Sequence, residues 1–212
     1  MQGWFGSVAS AWRSLVLLVM LSLAGSAYSA TKTVLVLGDS LSAEYGIARG
    51  SGWVSLLERR LRDQGIDAKV INASISGETT SGGRARLPAL LRQHEPQVVV
   101  IELGGNDGLR GLPLKAAEGH LRAMIRASQD ANARVLLVGM QIPPNYGRAY
   151  TQRFSSMYGT LARETGAELV PFLLAGVAEA PELFQSDRIH PTAEAQLAML
   201  NNVWPKLKPL LK

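Results

Sequence analysis

The chain has 212 residues, of which 47% are hydrophobic and 18% charged, a length and balance suited to one globular domain with a sizeable core. Its 22 basic and 17 acidic side chains give a formal charge of +5; so mild an excess does not indicate nucleic-acid binding and would favour anionic substrates only weakly. Cysteine is absent, so the fold holds without disulfides and a cysteine-linked lipid anchor is excluded.

The first thirty residues differ from the rest. They contain Arg13, no acid, and the apolar run from Leu15 to Leu23, followed by Ala24, Gly25, Ser26 and Ala27. This is the layout of a secretory signal peptide, removed on export. Ala27-Tyr28-Ser29 fits the small-x-small rule, so residues 1–29 are expected to be cut off after Ser29, with a cut after Ala27 as the next choice. The rival is an uncleaved anchor, but the run is shorter than the ~18 residues a spanning helix needs. No other stretch could span a membrane. The mature domain, 30–212, would carry +4 and reside in the periplasm or outside the cell.

Thr33 to Leu37 reads as a first strand, since Val34-Leu35-Val36-Leu37 is apolar without interruption and suits a strand buried on both faces. Trp53, Leu56, Leu57 and Leu61 recur at helical spacing, with Gly65 as a stop. Ala68 to Asn72 is a second strand. Leu87, Leu90 and Leu91 mark a second helix, with Pro88 expected near its start or at a kink. Gln97 to Leu103 is the clearest strand. Leu114, Ala117, Leu121, Met124, Ile125 and Ser128 form one face of a third helix. Arg134 to Met140 is a fourth strand. Phe154, Met157, Tyr158 and Leu161 mark a fourth helix, and Glu168 to Phe172 a fifth strand. Leu197, Leu200, Trp204 and Leu207 give a last helix, disturbed at Pro205. Strand and helix alternate five times, as βαβ units require. The expected fold is a three-layer α/β/α sandwich around a five-stranded parallel sheet. The strand order 2-1-3-4-5 is expected by analogy with flavodoxin-like folds.

Four polar spots follow strands or precede the last helix, where ligand loops belong in such folds. They are Gly38-Asp39-Ser40-Leu41-Ser42, Asn72 through Thr79, Gly104-Gly105-Asn106-Asp107, and Asp187-Arg188-Ile189-His190-Pro191. Serine catalysis needs a base within reach and a third group to orient that base. His190 can serve as the base for Ser40, and Asp187, three residues away, can hold its Nδ1–H. Donors for a developing oxyanion can come from the backbone of Ser40 and Gly77 and from the Asn106 amide. Taken singly, Asp187 could be a helix cap, Pro191 a first-turn proline and Asn106 a turn residue. His94 and His120 fall inside predicted helices and read as structural. No cluster has metal-ligand spacing, and neither the phosphate-loop nor the dinucleotide fingerprint is present. Ser40 also lacks the second glycine of a Gly-x-Ser-x-Gly elbow, which argues against an ordinary α/β-hydrolase.

In these four spots the sequence resembles the SGNH (GDSL) hydrolase family, whose blocks centre on Ser, Gly, Asn and His. The matches are Ser40, Gly77, Asn106 and His190, in the family order, with Asp187 at the family's Asp-x-x-His spacing. Longer stretches (Leu37–Ala43, Asn72–Gly77, Glu102–Gly111 and Pro144–Gly147) resemble its bacterial periplasmic multifunctional esterases. The resemblance implies hydrolysis of fatty-acyl and aryl esters, of thioesters including acyl-CoA, and of lysophospholipids, without a cofactor. It also implies that the loop Gly108–Pro113 moves over the bound acyl chain. Apolar loop residues, Leu109, Leu112, Ile142 and Tyr146, are expected to accept that chain, and the enzyme to be a monomer. Two rivals stand beside this reading. One is a polysaccharide deacetylase of the same fold, which a short polar pocket would favour. The other is a non-catalytic flavodoxin-like binding module, which leaves the serine, histidine and asparagine unexplained.

Overall fold

A computed structural model describes residues 31–212. The expected signal segment and its cleavage site lie outside the described residues. Five strands, β1 (Lys32–Gly38), β2 (Ala68–Asn72), β3 (Val98–Glu102), β4 (Arg134–Val138) and β5 (Glu168–Val170), form one sheet in the order β2-β1-β3-β4-β5. Every pairing is parallel. The burial of each strand follows its place. All five residues of the central strand β3 are buried, whereas β2, at one edge, buries only Val70.

The helices are α1 (Trp53–Asp63), α2 (Thr80–His94), α3 (Gly105–Leu109), α4 (Leu114–Asp130), α5 (Arg148–Thr165) and α6 (Gln196–Leu207). α1 packs with α6, while α2 packs with α4 and α4 with α5. These groups cover the two faces of the sheet, so its near-continuous apolar strands lose contact with water on both sides. Among the described residues no helix is long and apolar enough to cross a membrane.

Three elements depart from the sequence reading. Of the two places expected for Pro88, the start of the helix is ruled out, since α2 begins eight residues before it and Pro88 lies in its interior. The helix begins at Thr80, in a Thr-Ser-Gly-Gly stretch of poor helix formers. Thr79 caps it by accepting from the Gly82 N–H, and the Asp107 carboxylate accepts from the Thr80 N–H and hydroxyl at 2.9 and 2.6 Å. A negative charge at a helix N-terminus is favourable. A side chain at Gly83 would collide with Leu103, so this glycine permits close packing of helix on sheet. The second departure is α3, which the sequence reading left as a loop. The third concerns the face of α6. Leu200 and Leu207 are buried as expected, but Leu197 is exposed and Trp204 only partly buried, and Gln196, Met199 and Val203 complete the buried face.

Candidate active site

All four polar spots lie beyond the carboxyl ends of strands or in the segment leading to α6, and the parallel topology gathers them. β1 ends at Gly38 and the chain turns at once: the N–H groups of Ser42 and Ala43 both donate to the Asp39 carbonyl. Ser40 sits half-buried on this turn. Further along, Glu44 accepts from the Gly50 and Gly52 N–H groups and from the Ser55 hydroxyl. That ties the loop after Ser40 to the start of α1.

His190 arrives from the other end of the chain. Its Nε2 lies 2.9 Å from Ser40 Oγ and its Nδ1 2.7 Å from Asp187 Oδ2. The carboxylate at Nδ1 fixes the proton there, leaving the Nε2 lone pair for the serine hydroxyl. Asp187 Oδ1 accepts from the backbone N–H groups of Ile189 and His190, at 2.9 and 3.0 Å. Asp187 is therefore the centre of a tight turn and caps no helix; α6 starts only at Gln196, and Pro191 instead pairs with Phe184 in an isolated bridge. Arg188, inside the turn, is held at a φ of 58°, a left-handed conformation that a non-glycine residue adopts only under such constraint. The backbone and side chain of His190, with the Ile189 N–H, hold the Asp187 carboxyl down to about 2. It stays ionised at any working pH.

Gln185 fastens the two regions together. Its side-chain amide donates to the carbonyls of Tyr45 and Pro191, and its backbone N–H to the His190 carbonyl. Tyr45 stacks beside the imidazole, ring centres 4.3 Å apart. Neither residue carried a signal in the sequence, because each acts through a contact with a distant segment.

The backbone N–H groups of Ser40 and Gly77 donate to no protein group among the described residues. Gly77 has a φ of 78°, open to glycine at little cost. Its carbonyl accepts from the Arg110 guanidinium at 3.1 Å, which directs the peptide. Asn106, in the first turn of α3, is different. Its amide nitrogen donates to Asp39 Oδ2 and to the Glu78 carbonyl, both at 3.0 Å. Both amide hydrogens are engaged, so a bond to an oxyanion has to be shared with, or exchanged for, one of these.

Beneath the site lies a group of buried acids that the sequence reading passed over: Asp39, Glu102 and Asp107. The signal was available, since a glutamate within Val-Val-Val-Ile-Glu-Leu breaks an otherwise apolar run. His120, read as structural, meets the Thr80 hydroxyl through Nδ1 at 3.2 Å. No group of His, Asp or Glu among the described residues could hold a metal ion.

The residues expected to meet the acyl chain are dispersed in depth. Leu112 and Tyr146 are each 38% exposed, Leu109 packs partly against the core, and Ile142 is buried next to Gly108. Two tyrosines tie the 108–113 loop to the segment after β4: Tyr146 donates to the Leu109 carbonyl and Tyr150 to that of Leu112.

A serine, an imidazole and a carboxylate in series at the carboxyl edge of a parallel sheet, beside free backbone N–H groups, can perform nucleophilic acyl transfer. That is the equipment of a serine hydrolase. The chain belongs to the GDSL-like lipase/acylhydrolase family, whose model matches residues 36–198. Esterase TesA of Pseudomonas aeruginosa is 51% identical over 183 residues, 86% of this chain and 91% of that protein. Thioesterase 1/protease 1/lysophospholipase L1 of Escherichia coli is 43% identical, covering 86% of each chain. Among solved structures, the psychrotrophic esterase EstA from Pseudoalteromonas, inhibited by monoethylphosphonate, superposes with a TM-score of 0.81 at 43% identity, covering 85% of this chain and 98% of that one. The protein is an esterase/thioesterase-type hydrolase with the sheet order and layers of this family.

Proposed function

We propose that this hydrolase is exported and cleaves carboxylic esters and thioesters (fatty-acyl and aryl esters, acyl-CoA, lysophospholipids) through an acyl-enzyme at Ser40. The observation that carries the reading is the continuous chain Ser40 Oγ, His190 Nε2, His190 Nδ1, Asp187 Oδ2, with steps of 2.9 and 2.7 Å. In the first half-reaction His190 Nε2 takes the hydroxyl proton as Oγ bonds to the acyl carbon. The carbonyl π electrons move onto oxygen, which the Ser40 and Gly77 N–H groups and the Asn106 amide stabilise. Collapse of the tetrahedral intermediate breaks the bond to the alkoxide or thiolate, which leaves with the proton from Nε2. Water then repeats the sequence on the acyl-enzyme and releases the acid. Asp187 orients the imidazole and stabilises its charged form. Leu109, Leu112, Ile142 and Tyr146 receive the acyl chain. These steps use protein groups and water, without a cofactor, and the enzyme works as a monomer.

The names of the relatives support esters and thioesters over polysaccharide acetyl groups, and the apolar loop residues point the same way. Export rests on the sequence of residues 1–29, and the mature enzyme belongs in the periplasm or the medium. The test is labelling with a fluorophosphonate, which phosphonylates an activated serine. One equivalent should add to the native chain and none to Ser40→Ala; an unlabelled native chain would remove the acyl-enzyme. Rates across aryl acetate, long-chain ester, acyl-CoA and lysophospholipid then rank the substrates. Intact mass of exported protein tests the cut after Ser29, because a mature chain that still holds Leu15–Leu23 would favour an anchor.

A further inference from the structure

The acyl-transfer chemistry makes no use of Glu102, yet this carboxyl group is buried at the end of β3, directly under the Gly38-Asp39-Ser40 turn. Glu102 Oε2 accepts the Ser42 hydroxyl at 2.7 Å and lies 3.4 Å from the Asp39 N–H. The Ser42 oxygen in turn accepts from the Trp53 indole at 3.2 Å. A second buried carboxyl, Asp39, stands next to it. Asp39 Oδ1 accepts from the Leu41 N–H and Oδ2 from the Asn106 amide, both at 3.0 Å.

Among the described residues, neither acid is in a salt bridge. The titratable groups that face the pair are Asp107 on α3, Tyr158 on α5 and His190 before α6. Of these only His190 can become a cation. Two carboxylates side by side, out of water and without a cation, do not both ionise. The hydrogen bonds decide which one keeps the proton. Both oxygens of Asp39 accept N–H donors, which favours its charged form. Glu102 accepts through one oxygen and has the other available to carry a proton.

We infer that Glu102 is a positioning residue: it is the neutral, proton-bearing half of a buried carboxyl pair whose ionised half, Asp39, holds the Asn106 amide at the oxyanion hole. Burial, and then the Asp39 charge, push the Glu102 carboxyl well above its usual range. Burial raises Asp39 only to about 6, because Leu41 and Asn106 hold it down. Asp39, with N–H donors on both oxygens, therefore loses its proton before Glu102 does. Loss of the Glu102 proton to solvent would place a second negative charge against Asp39, and the repulsion would displace the carboxylate that holds the Asn106 amide. The link to catalysis rests on the oxyanion role proposed for Asn106; the proton assignment does not.

Infrared difference spectroscopy of the intact protein at neutral pH should show the C=O stretch of a buried protonated carboxyl. The band should vanish in Glu102→Gln and survive in Ser40→Ala. Carboxyl-13C glutamate should shift it, which makes the assignment without any substitution should Glu102→Gln fail to fold. On an aryl acetate, Glu102→Ala should lower kcat about tenfold or more with KM little changed. Glu102→Gln, a mimic of the neutral acid, should rescue most of that loss and should lack any decline in kcat that accompanies ionisation of Glu102 in the native enzyme. Asp39→Asn, which turns an amide toward an amide, should cost ~10²-fold in kcat, the scale of one lost oxyanion donor. Absence of the band in the native protein, its persistence in Glu102→Gln, or a kcat for Glu102→Gln as low as for Asp39→Asn would each overturn the inference. Failure of the esterase reading would appear separately, as absence of turnover and labelling, and would leave the infrared result standing.

Discussion

The two halves of the candidate catalytic apparatus are held in opposite ways. The half with Ser40 and Asn106 rests on a buried floor: Asp39, Ser42, Glu102 and Asp107 are each almost inaccessible to water and each bonded to a neighbouring loop or helix. The half with Asp187 and His190 is a surface turn. Asp187 is exposed, and the turn is held mainly by bonds among its own residues, with support from Gln185, the Phe184–Pro191 bridge and the Tyr45 ring. In the floor, position comes from burial, where an unmet polar group costs 1–3 kcal/mol and the arrangement is over-determined. In the turn, position comes from short-range geometry, in which one carboxylate accepts two backbone N–H groups and one imidazole. The serine is thus fixed by tertiary structure, and the base by local sequence.

The largest effect tests whether the halves form one machine. Ser40→Ala should abolish turnover and fluorophosphonate labelling while Tm stays close to that of the native protein, since a loop hydroxyl carries little stability. Native-like turnover would dissolve the comparison.

Asp187→Asn tests the turn. It keeps an oxygen for the backbone donors but favours the wrong imidazole tautomer. The corresponding change in a serine protease lowers kcat ~10⁴-fold, and a loss of that order is expected here. Because the native carboxyl is held down to about 2, no acid limb from Asp187 should appear in the native pH–rate profile above pH 3. A loss of only a few-fold would reduce Asp187 to a turn-former.

Asn106→Ala tests the floor. An interaction made mainly in the transition state lowers kcat and kcat/KM together, and one oxyanion donor is worth ~10²–10³ in kcat. Ser40 should still be labelled, but more slowly. Asn106→Asp should be worse than Ala, since a carboxylate would repel the developing charge. If KM rises in Asn106→Ala while kcat holds, Asn106 binds substrate and the hole rests on the Ser40 and Gly77 backbone.

Truncation of the acyl loop should have a smaller and selective effect. Leu109→Ala or Leu112→Ala should weaken long-chain esters several-fold more than acetyl esters, at ~0.8 kcal/mol per CH₂ removed from contact. Equal losses on both substrates would take the 108–113 loop out of the acyl site.

The smallest effect is on stability. Asp39 is raised to about 6 in the fold, so the folded chain binds that proton more tightly than the unfolded chain. Its contribution is fully present below the unfolded value near 4 and is lost as pH rises through about 6. Between pH 4 and pH 7, Tm of Asp39→Asn should therefore fall less than that of the native protein. An unchanged slope would mean that the floor does not titrate with Asp39.

Much of the fold could be read in advance because parallel strands buried on both faces are written as apolar runs: Val34 to Leu37 and Val98 to Ile101 are buried throughout. Helices with strong apolar periodicity, such as α4 and α5, were equally plain. The first half of α2 was not, because Gly83 makes room for Leu103 and the helix N-terminus is completed by Asp107, a residue on another element. On α6 the leucine pattern misled: Leu197 faces water, while Gln196 is buried and accepts from the Trp53 N–H.

Residue types and their spacing along the chain carried the chemical inventory and the local turn. Ser40, Gly77, Asn106 and His190 could be named from position relative to strands, and the three-residue spacing of Asp187 and His190 already places a carboxylate against Nδ1. Only the tertiary structure decided that Ser40 and His190, 150 positions apart, meet at 2.9 Å. It also showed that both hydrogens of the Asn106 amide are committed, and that Asp39 and Glu102 are both buried beneath the Ser40 turn. The reason is physical. Residue type and short spacing fix what a group can do and which near neighbours it reaches, whereas burial, pairing and proton sharing depend on which strands lie side by side.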